Sequence, residues 1–249
     1  MPLIRIREEE FPHDPEELED AEEPDLVRDP FDMNFTREEL LHAAWTSGHE
    51  QAFFQQQGPE AMRHYCQWKS AAVEMSIREV MDGPESRWGA TPMLSAMDPS
   101  ERQGGSYHLG LMMATAWARR RYNIPWLLHL DLYREQHKVV MRDDAGKSRP
   151  DLIGMDTQGR WAVFEAKGRK GYPSTLSKKD AKKQAMRVQT VAHQDPAHRL
   201  AVFAYFGPEP DNIGGLCHLQ CLVVDPPGDP KHPKPMKLNF ITQANFYQH

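Results

Sequence analysis

The spacing of apolar residues changes repeatedly along this chain, and each change marks an element. Thr36 followed by Glu39 is a capping-box signature that opens a helix through LLHAAW, ending near Gly48. A second helix is expected over residues 59–81. Proline sits in its first turn, Met62, Cys66, Val73, Ile77 and Val80 give it an apolar face, and Asp82, Gly83 and Pro84 stop it. Residues 83–105, rich in Gly, Pro and Ser, read as a loop. A helix over residues 106–122 (SYHLGLMMATAWARRRY) follows. Next come three apolar runs that read as strands, over residues 125–133, 148–155 and 160–167. A lysine-rich helix is expected over residues 177–194, with an apolar stripe of Ala181, Ala185, Val188 and Ala192 and with Val191 beside it. Two further strands fall over residues 199–206 and 215–225. The order α-β-β-β-α-β-β predicts an α/β chain: a mixed sheet flanked by helices, with an N-terminal helical segment.

The flanks read differently. Residues 1–33 are acidic, punctuated by proline and without a repeating apolar face, so they are expected to be a disordered or loosely attached leader. Residues 34–100 read as a helical segment, 101–225 as the core, and 226–249 as a proline-rich linker and tail. The 249 residues, 39% hydrophobic and 27% charged, suffice for one sizeable domain with an appendage. No apolar run approaches the roughly 20 residues of a membrane helix, and the first residues carry no secretory apolar core. The expectation is a soluble, cytoplasmic protein without a membrane partner.

The formal net charge of -6 conceals a division. Residues 1–34 hold 3 basic and 13 acidic side chains, net -10, whereas residues 101–207 hold 19 basic and 10 acidic, net +9. A basic module suits a polyphosphate partner, because cationic side chains release counterions from the backbone. A solvated lysine-rich helix face is the plainer alternative. As a speculation, the acidic leader occupies the basic groove as a nucleic-acid mimic and restrains cutting.

The chemistry concentrates at Pro150-Asp151 and, after thirteen residues, Glu165-Ala166-Lys167. Residues i and i+2 of a strand share a face, so Glu165 and Lys167 lie together and Ala166 opposite. A three-residue loop at 157–159 would pair residue 156 with 160 and 151 with 165. Gly159 would then take the left-handed position that such loops need. Asp151 and Glu165 then become cross-strand neighbours, about 5 Å apart at Cβ; a two-residue turn would spoil the pairing. Two carboxylates this close repel unless a cation lies between them, and oxygen ligands without His or Cys suit Mg²⁺ or Mn²⁺. A lysine two residues on can orient or deprotonate a water and offset developing charge.

Pro150-Asp151 with Glu165-Ala166-Lys167 resembles the PD-(D/E)XK motif of restriction-endonuclease-like nucleases, and residues 101–225 resemble that family's core order, α-β-β-β-α-β. The resemblance implies metal ligation by Asp151, Glu165 and the Ala166 carbonyl, with Lys167 assisting the attacking water. It also implies a catalytic role for Gln184, which lies inside the apolar stripe with Lys182 shortly before it. The plainer alternative for Gln184 is a residue at the rim of the stripe bonded to a nearby backbone carbonyl. Arg169, Lys170, Lys178, Lys179, Lys182 and Lys183 flank the motif and are expected to grip a phosphate backbone. Many members carry a further glutamate on the first core helix; here residues 103–122 have no acid, and either two carboxylates suffice or Glu101 reaches in.

The function so implied is a Mg²⁺-dependent endonuclease acting on nucleic acid, DNA favoured over RNA by family analogy alone. A chain of this build suits a bacterial defence or mobile-element system, working with a partner subunit or as a homo-oligomer. The alternatives are an inactive nuclease-like binding or scaffold subunit and an RNA-cleaving enzyme. Cys217 and Cys221 flank a histidine within an apolar run and read as core cysteines rather than zinc ligands. Arg119, Arg120 and Arg121 read equally as phosphate contacts or a solvated helix end, and His108 as a core or capping histidine.

Overall fold

A computed structural model describes residues 1–12, 15–142, 148–208 and 217–225. In chain order its elements are β1 (Leu3–Glu10), α1 (Pro15–Asp20), β2 (Leu26–Val27), β3 (Phe31–Asn34), α2 (Arg37–Thr46), α3 (Gln51–Gln56) and α4 (Pro59–Glu74). Then follow β4 (Ile77–Asp82), β5 (Glu85–Ala90), α5 (Pro92–Ala96), α6 (Pro99–Tyr122), β6 (Leu127–His129), α7 (Leu130–Tyr133) and β7 (Val140–Met141). The last are β8 (Leu152–Met155), β9 (Trp161–Arg169), α8 (Thr175–Met186), β10 (Val188–Thr190), β11 (His198–Pro208) and β12 (Cys217–Val224). The expected linker and tail at 226–249 lie outside the described residues.

Ten of these strands form one mixed sheet. β9 runs parallel to β11 and antiparallel to β8, β8 is antiparallel to β6, and β12 lies between β11 and β1. Strict alternation divides the central strands between two cores. Ala162, Phe164 and Ala166 of β9, with Leu200 and Val202 of β11, face α6 and α2. Val163 joins Ile153 and Val188 on the opposite side, where Ala201 and Phe203 meet Ala181 of α8. Strands covered on both faces read as continuous apolar runs, which is why β9, β11 and β12 stand out in the sequence. The expected α/β architecture, a large mixed sheet flanked by helices, is present.

α2 carries the expected capping box, with Thr36 Oγ1 accepting from the Glu39 amide and Glu39 Oε2 accepting from the Thr36 amide. α6 starts earlier than expected, at a second capping box of Asp98 and Glu101. It ends on Asn123 in the left-handed region at φ 54. It lies unusually close to β9. A Cβ on Gly110 would come within 2.8 Å of the Gly168 amide nitrogen, and one on Gly168 would overlap the Ser106 carbonyl.

Five expectations are corrected. The leader is not detached: β1 pairs in parallel with β12 over five residues, and Ile4 and Ile6 are fully buried. Their alternation with Arg5 and Arg7 is a strand pattern that the acidic count obscured. The helix from residue 59 ends at Glu74, and Ile77–Asp82 pairs with β5 around Gly83 at φ 60, so the Asp-Gly-Pro signal turns a hairpin. The supposed loop over 83–105 is thereby β5, α5 and the start of α6. The lysine-rich helix stops at Met186, because the β-branched residues beyond it pair as β10 with β7. Finally, the run at 125–133 is a three-residue strand followed by the turn of helix α7.

Gly168→Ala should destabilise the protein by about 3 kcal/mol or more by forcing α6 off β9. Gly104→Ala, in open space on the same helix, should stabilise it by about 0.5–1 kcal/mol; urea unfolding distinguishes them. Removal of residues 1–12 uncovers β12 and leaves Lys178 without its carboxylate, a combined loss of about 5 kcal/mol or more. Loss of the near-ultraviolet dichroism of the packed core checks this, and an unchanged melt would refute it.

Candidate active site

The β8–β9 hairpin sets the site. Register runs Leu152 with Phe164, Ile153 with Val163, Gly154 with Ala162 and Met155 with Trp161, which carries Asp151 opposite Glu165. The turn is the three-residue form: the Asp156 amide donates to the Arg160 carbonyl at 3.0 Å and Gly159 has φ 78. Asp156 Oδ1 accepts from the Gln158 amide at 2.8 Å and from the Arg160 amide at 2.9 Å, locking the loop.

Asp151 stands just before the first ladder residue of β8, and its Oδ2 accepts from the Ala166 amide at 2.9 Å. Glu165 is 1% exposed. Its Oε1 is ion-paired with Lys167 Nζ, and its side chain also shares a hydrogen bond with Asp151. Burial pushes the Glu165 carboxyl up to about 8; the Asp151 charge adds to the rise and Lys167 opposes it. Burial also raises Asp151, against the pull of the Ala166 amide and Lys167. A buried carboxyl and a half-buried one, with one ammonium at the rim, form a hard, oxygen-lined cleft. This donor set fits Mg²⁺ or Mn²⁺, with the Ala166 carbonyl the implied third ligand.

The other expected residues divide. Gln184 is half-buried on α8 between the buried Ala181 and Ala185, and its Oε1 meets no donor. It makes no hydrogen bond to Asp151, Glu165 or Lys167 among the described residues. Arg169 and Lys170 are exposed at the end of β9. The four lysines of α8 face the N-terminal segment instead of a groove. Lys178 Nζ donates to Glu9 Oε2 at 2.7 Å. Lys182, 1% exposed, donates to the Phe11 carbonyl at 2.6 Å and pairs with Asp225 at 2.6 Å. Lys179 donates to the Ala21 carbonyl at 3.0 Å, and Lys183 pairs with Glu19. For Lys178 and Lys182 the backbone-gripping expectation is corrected: a cation buried against a carboxylate is a structural pair. The acidic segment does cover α8, as an integral part of the fold.

Glu101 is spent on its capping box, exposed at the start of α6, and does not reach the site. Arg119 donates to the Pro125 carbonyl and Thr46, Arg120 pairs with Glu39, and Arg121 lies 3.8 Å from Glu8, so all three are internal. Cys221 is buried as a core cysteine, whereas Cys217, at the start of β12, is exposed and corrects that expectation; no group of three His, Cys, Asp or Glu side chains is assembled for a metal among the described residues.

Sequence reasoning missed Tyr107 and His129. The glycine contact at Gly110 and Gly168 brings α6 onto β9 one turn beyond Tyr107. The Tyr107 hydroxyl lies 3.3 Å from His129 Nε2. The Tyr107 phenol is pushed up by burial and by the charges of Asp151, Glu165 and Asp131. His129 Nδ1 is buried without a partner among the described residues. The only sequence signal was a histidine interrupting the apolar run WLLHL.

A carboxyl that ordinarily titrates near 4.5 but holds its proton to about 8 binds more protons folded than unfolded across that window. Stability therefore falls as pH rises from about 4.5 to about 8. Glu165→Gln should flatten that decline, as read from urea unfolding across the window, and an unaltered slope would contradict the raised carboxyl. No protein-family model, no curated protein and no solved structure matches this chain.

Proposed function

We propose that this chain is a divalent-metal-dependent nuclease with a restriction-endonuclease-like core, hydrolysing phosphodiester bonds of nucleic acid, DNA favoured. The observation that carries the reading is the pair of acids: Glu165, buried and holding its proton to about 8, lies opposite Asp151 and beside Lys167. Two acids this close and this poorly solvated resist ionising together, and a divalent cation between them would relieve that. Mg²⁺ or Mn²⁺ held there supplies positive charge that polarises a phosphodiester and eases deprotonation of the attacking water.

The chain's own groups do the rest. The Ala166 amide fixes the Asp151 carboxylate, so the two acids converge without a search of rotamers. Lys167, half-exposed at the rim, presents an ammonium where negative charge builds on the phosphate. Tyr107 and His129 bound the cleft on the α6 side and limit how substrate enters. Arg169 and Lys170, exposed beyond Lys167, are the cations open to a backbone phosphate.

Cleavage of supercoiled plasmid and of single-stranded DNA and RNA, with Mg²⁺ or Mn²⁺, tests the reading. Lys167→Ala and Asp151→Asn should each reduce the rate by about 10²-fold or more. Calorimetry should find Mn²⁺ bound by the parent chain and not by Asp151→Asn. No metal binding, together with no cleavage, would leave a nuclease-like binding or scaffold module.

A further inference from the structure

Beyond the carboxylate cleft, α4 and α6 enclose a second charged feature. Lys69 is 7% exposed, and its Nζ has one polar partner among the described residues, His108 Nδ1 at 3.5 Å. Its remaining surroundings are aromatic: Nζ lies 5.0 Å from the Trp68 ring centre and 5.6 Å from that of Tyr65. His108 meets Trp68 edge to face at 4.9 Å and lies 5.6 Å from Tyr107, its neighbour on α6. Burial and Lys69 hold His108 down to about 4, so it is neutral at neutral pH and accepts from the ammonium. Burial lowers Lys69 itself to about 8, which leaves it largely protonated at neutral pH. A buried ammonium with aromatic walls and no carboxylate is a cation that lacks an anion.

The feature adjoins the candidate active site. Tyr107 reaches His129 beside Asp151, and His49, lowered by burial first, also feels the charges of Lys69 and His129. Two large rings stay open to solvent here, Trp68 at 54% and Tyr107 at 41%. An anion that arrives next to a phosphodiester-cleaving site and brings a flat apolar face with it is a nucleotide. In a duplex the base faces are stacked inside and only the backbone is offered. Exposed rings beside a buried amine therefore suit a base that is unpaired.

We infer that Lys69, Trp68 and Tyr107 form a subsite for an unpaired nucleotide of the substrate strand, its phosphate on the Lys69 ammonium and its base stacked on Trp68. The subsite rests on the nuclease reading for its substrate class. It makes that substrate single-stranded, or frayed, on the α4 side of the cut.

The test is affinity without cleavage: fluorescence anisotropy of a labelled single-stranded DNA oligonucleotide and of its blunt duplex, with the full chain in EDTA at low salt. The parent should prefer the single strand. Lys69→Met and Trp68→Ala should each weaken strand binding about tenfold or more and leave the duplex nearly unmoved. Lys69→Met should also lower the dependence of log K on log salt by about 0.7, one phosphate contact to a single strand. Lys69→Arg should restore most of the affinity. Thermal melts show that each variant is folded; should Lys69→Met not be, Trp68→Ala, on an exposed ring, carries the comparison. Unchanged strand affinity in folded variants, equal losses on strand and duplex, or binding of adenosine monophosphate but not of the strand would each overturn the proposal. Should the Lys69 and Trp68 effects hold while no polymer is cleaved with metal, the subsite stands and the nuclease reading falls. Cleavage by the parent, with affinities indifferent to both substitutions, is the converse.

Discussion

One turn of three residues governs the candidate site. Because Gly159 adopts φ 78 and Asp156 gathers two amides of the loop, the hairpin closes with residue 151 across from 165. A slip of one residue would send Asp151 to the opposite face, since side chains alternate strictly along a strand. The carboxylates would then sit on different sides of β9, one against α6 and the other against α8. The convergence of two acids and their place beside Lys167 descend from a loop that touches none of them.

The second constraint is how the chain disposes of its charge. The acidic N-terminal segment was expected to remain in solvent, yet Glu8 and Glu9 are buried, at 1% and 4% exposure. Glu8 takes Arg28 at 3.0 Å and Glu9 takes Lys178 at 2.7 Å. The segment and the lysine-rich helix α8 are thus each other's counterions. The contrast between a leader of net -10 and a module of net +9 describes an internal seam at least as much as a surface for a partner. What is left open to solvent near the cleft is smaller: Arg169 and Lys170 at the end of β9.

The hairpin, its register, the facing of Glu165 and Lys167, the Thr36 capping box and the buried run of β12 were legible because each follows from short-range rules: periodicity, turn length and cap chemistry. The helix boundaries after Glu74 and Met186 were not, because Ile77, Val80, Val188 and Val191 satisfy a helical and an extended pattern equally, and the strand partner that decides lies far along the chain. β1 was missed for a related reason. Two isoleucines between charged residues are a weak signal, and only the parallel ladder with β12, more than 200 residues away, gives them a face to bury. Tyr107 and His129 were invisible because their proximity depends on α6 crossing β9 at two glycines, a tertiary contact that no local pattern encodes.

These same glycines tie the cleft to the feature beyond it. With no side chain at Gly110 and Gly168, α6 settles onto the backbone of Lys167 and Gly168, and Tyr107 and His108 are carried to the end of the sheet where Asp151 and Glu165 emerge. On one side of that pair of rings lie two acids that resist ionising together, on the other an ammonium with no carboxylate partner among the described residues. The two do not neutralise one another across the intervening Tyr107 and His129, so each remains unfavourable. A ligand that relieves both must present positive charge to the first and negative charge to the second. A divalent ion travelling with a phosphate chain has that polarity, and a plain structural core does not call for it.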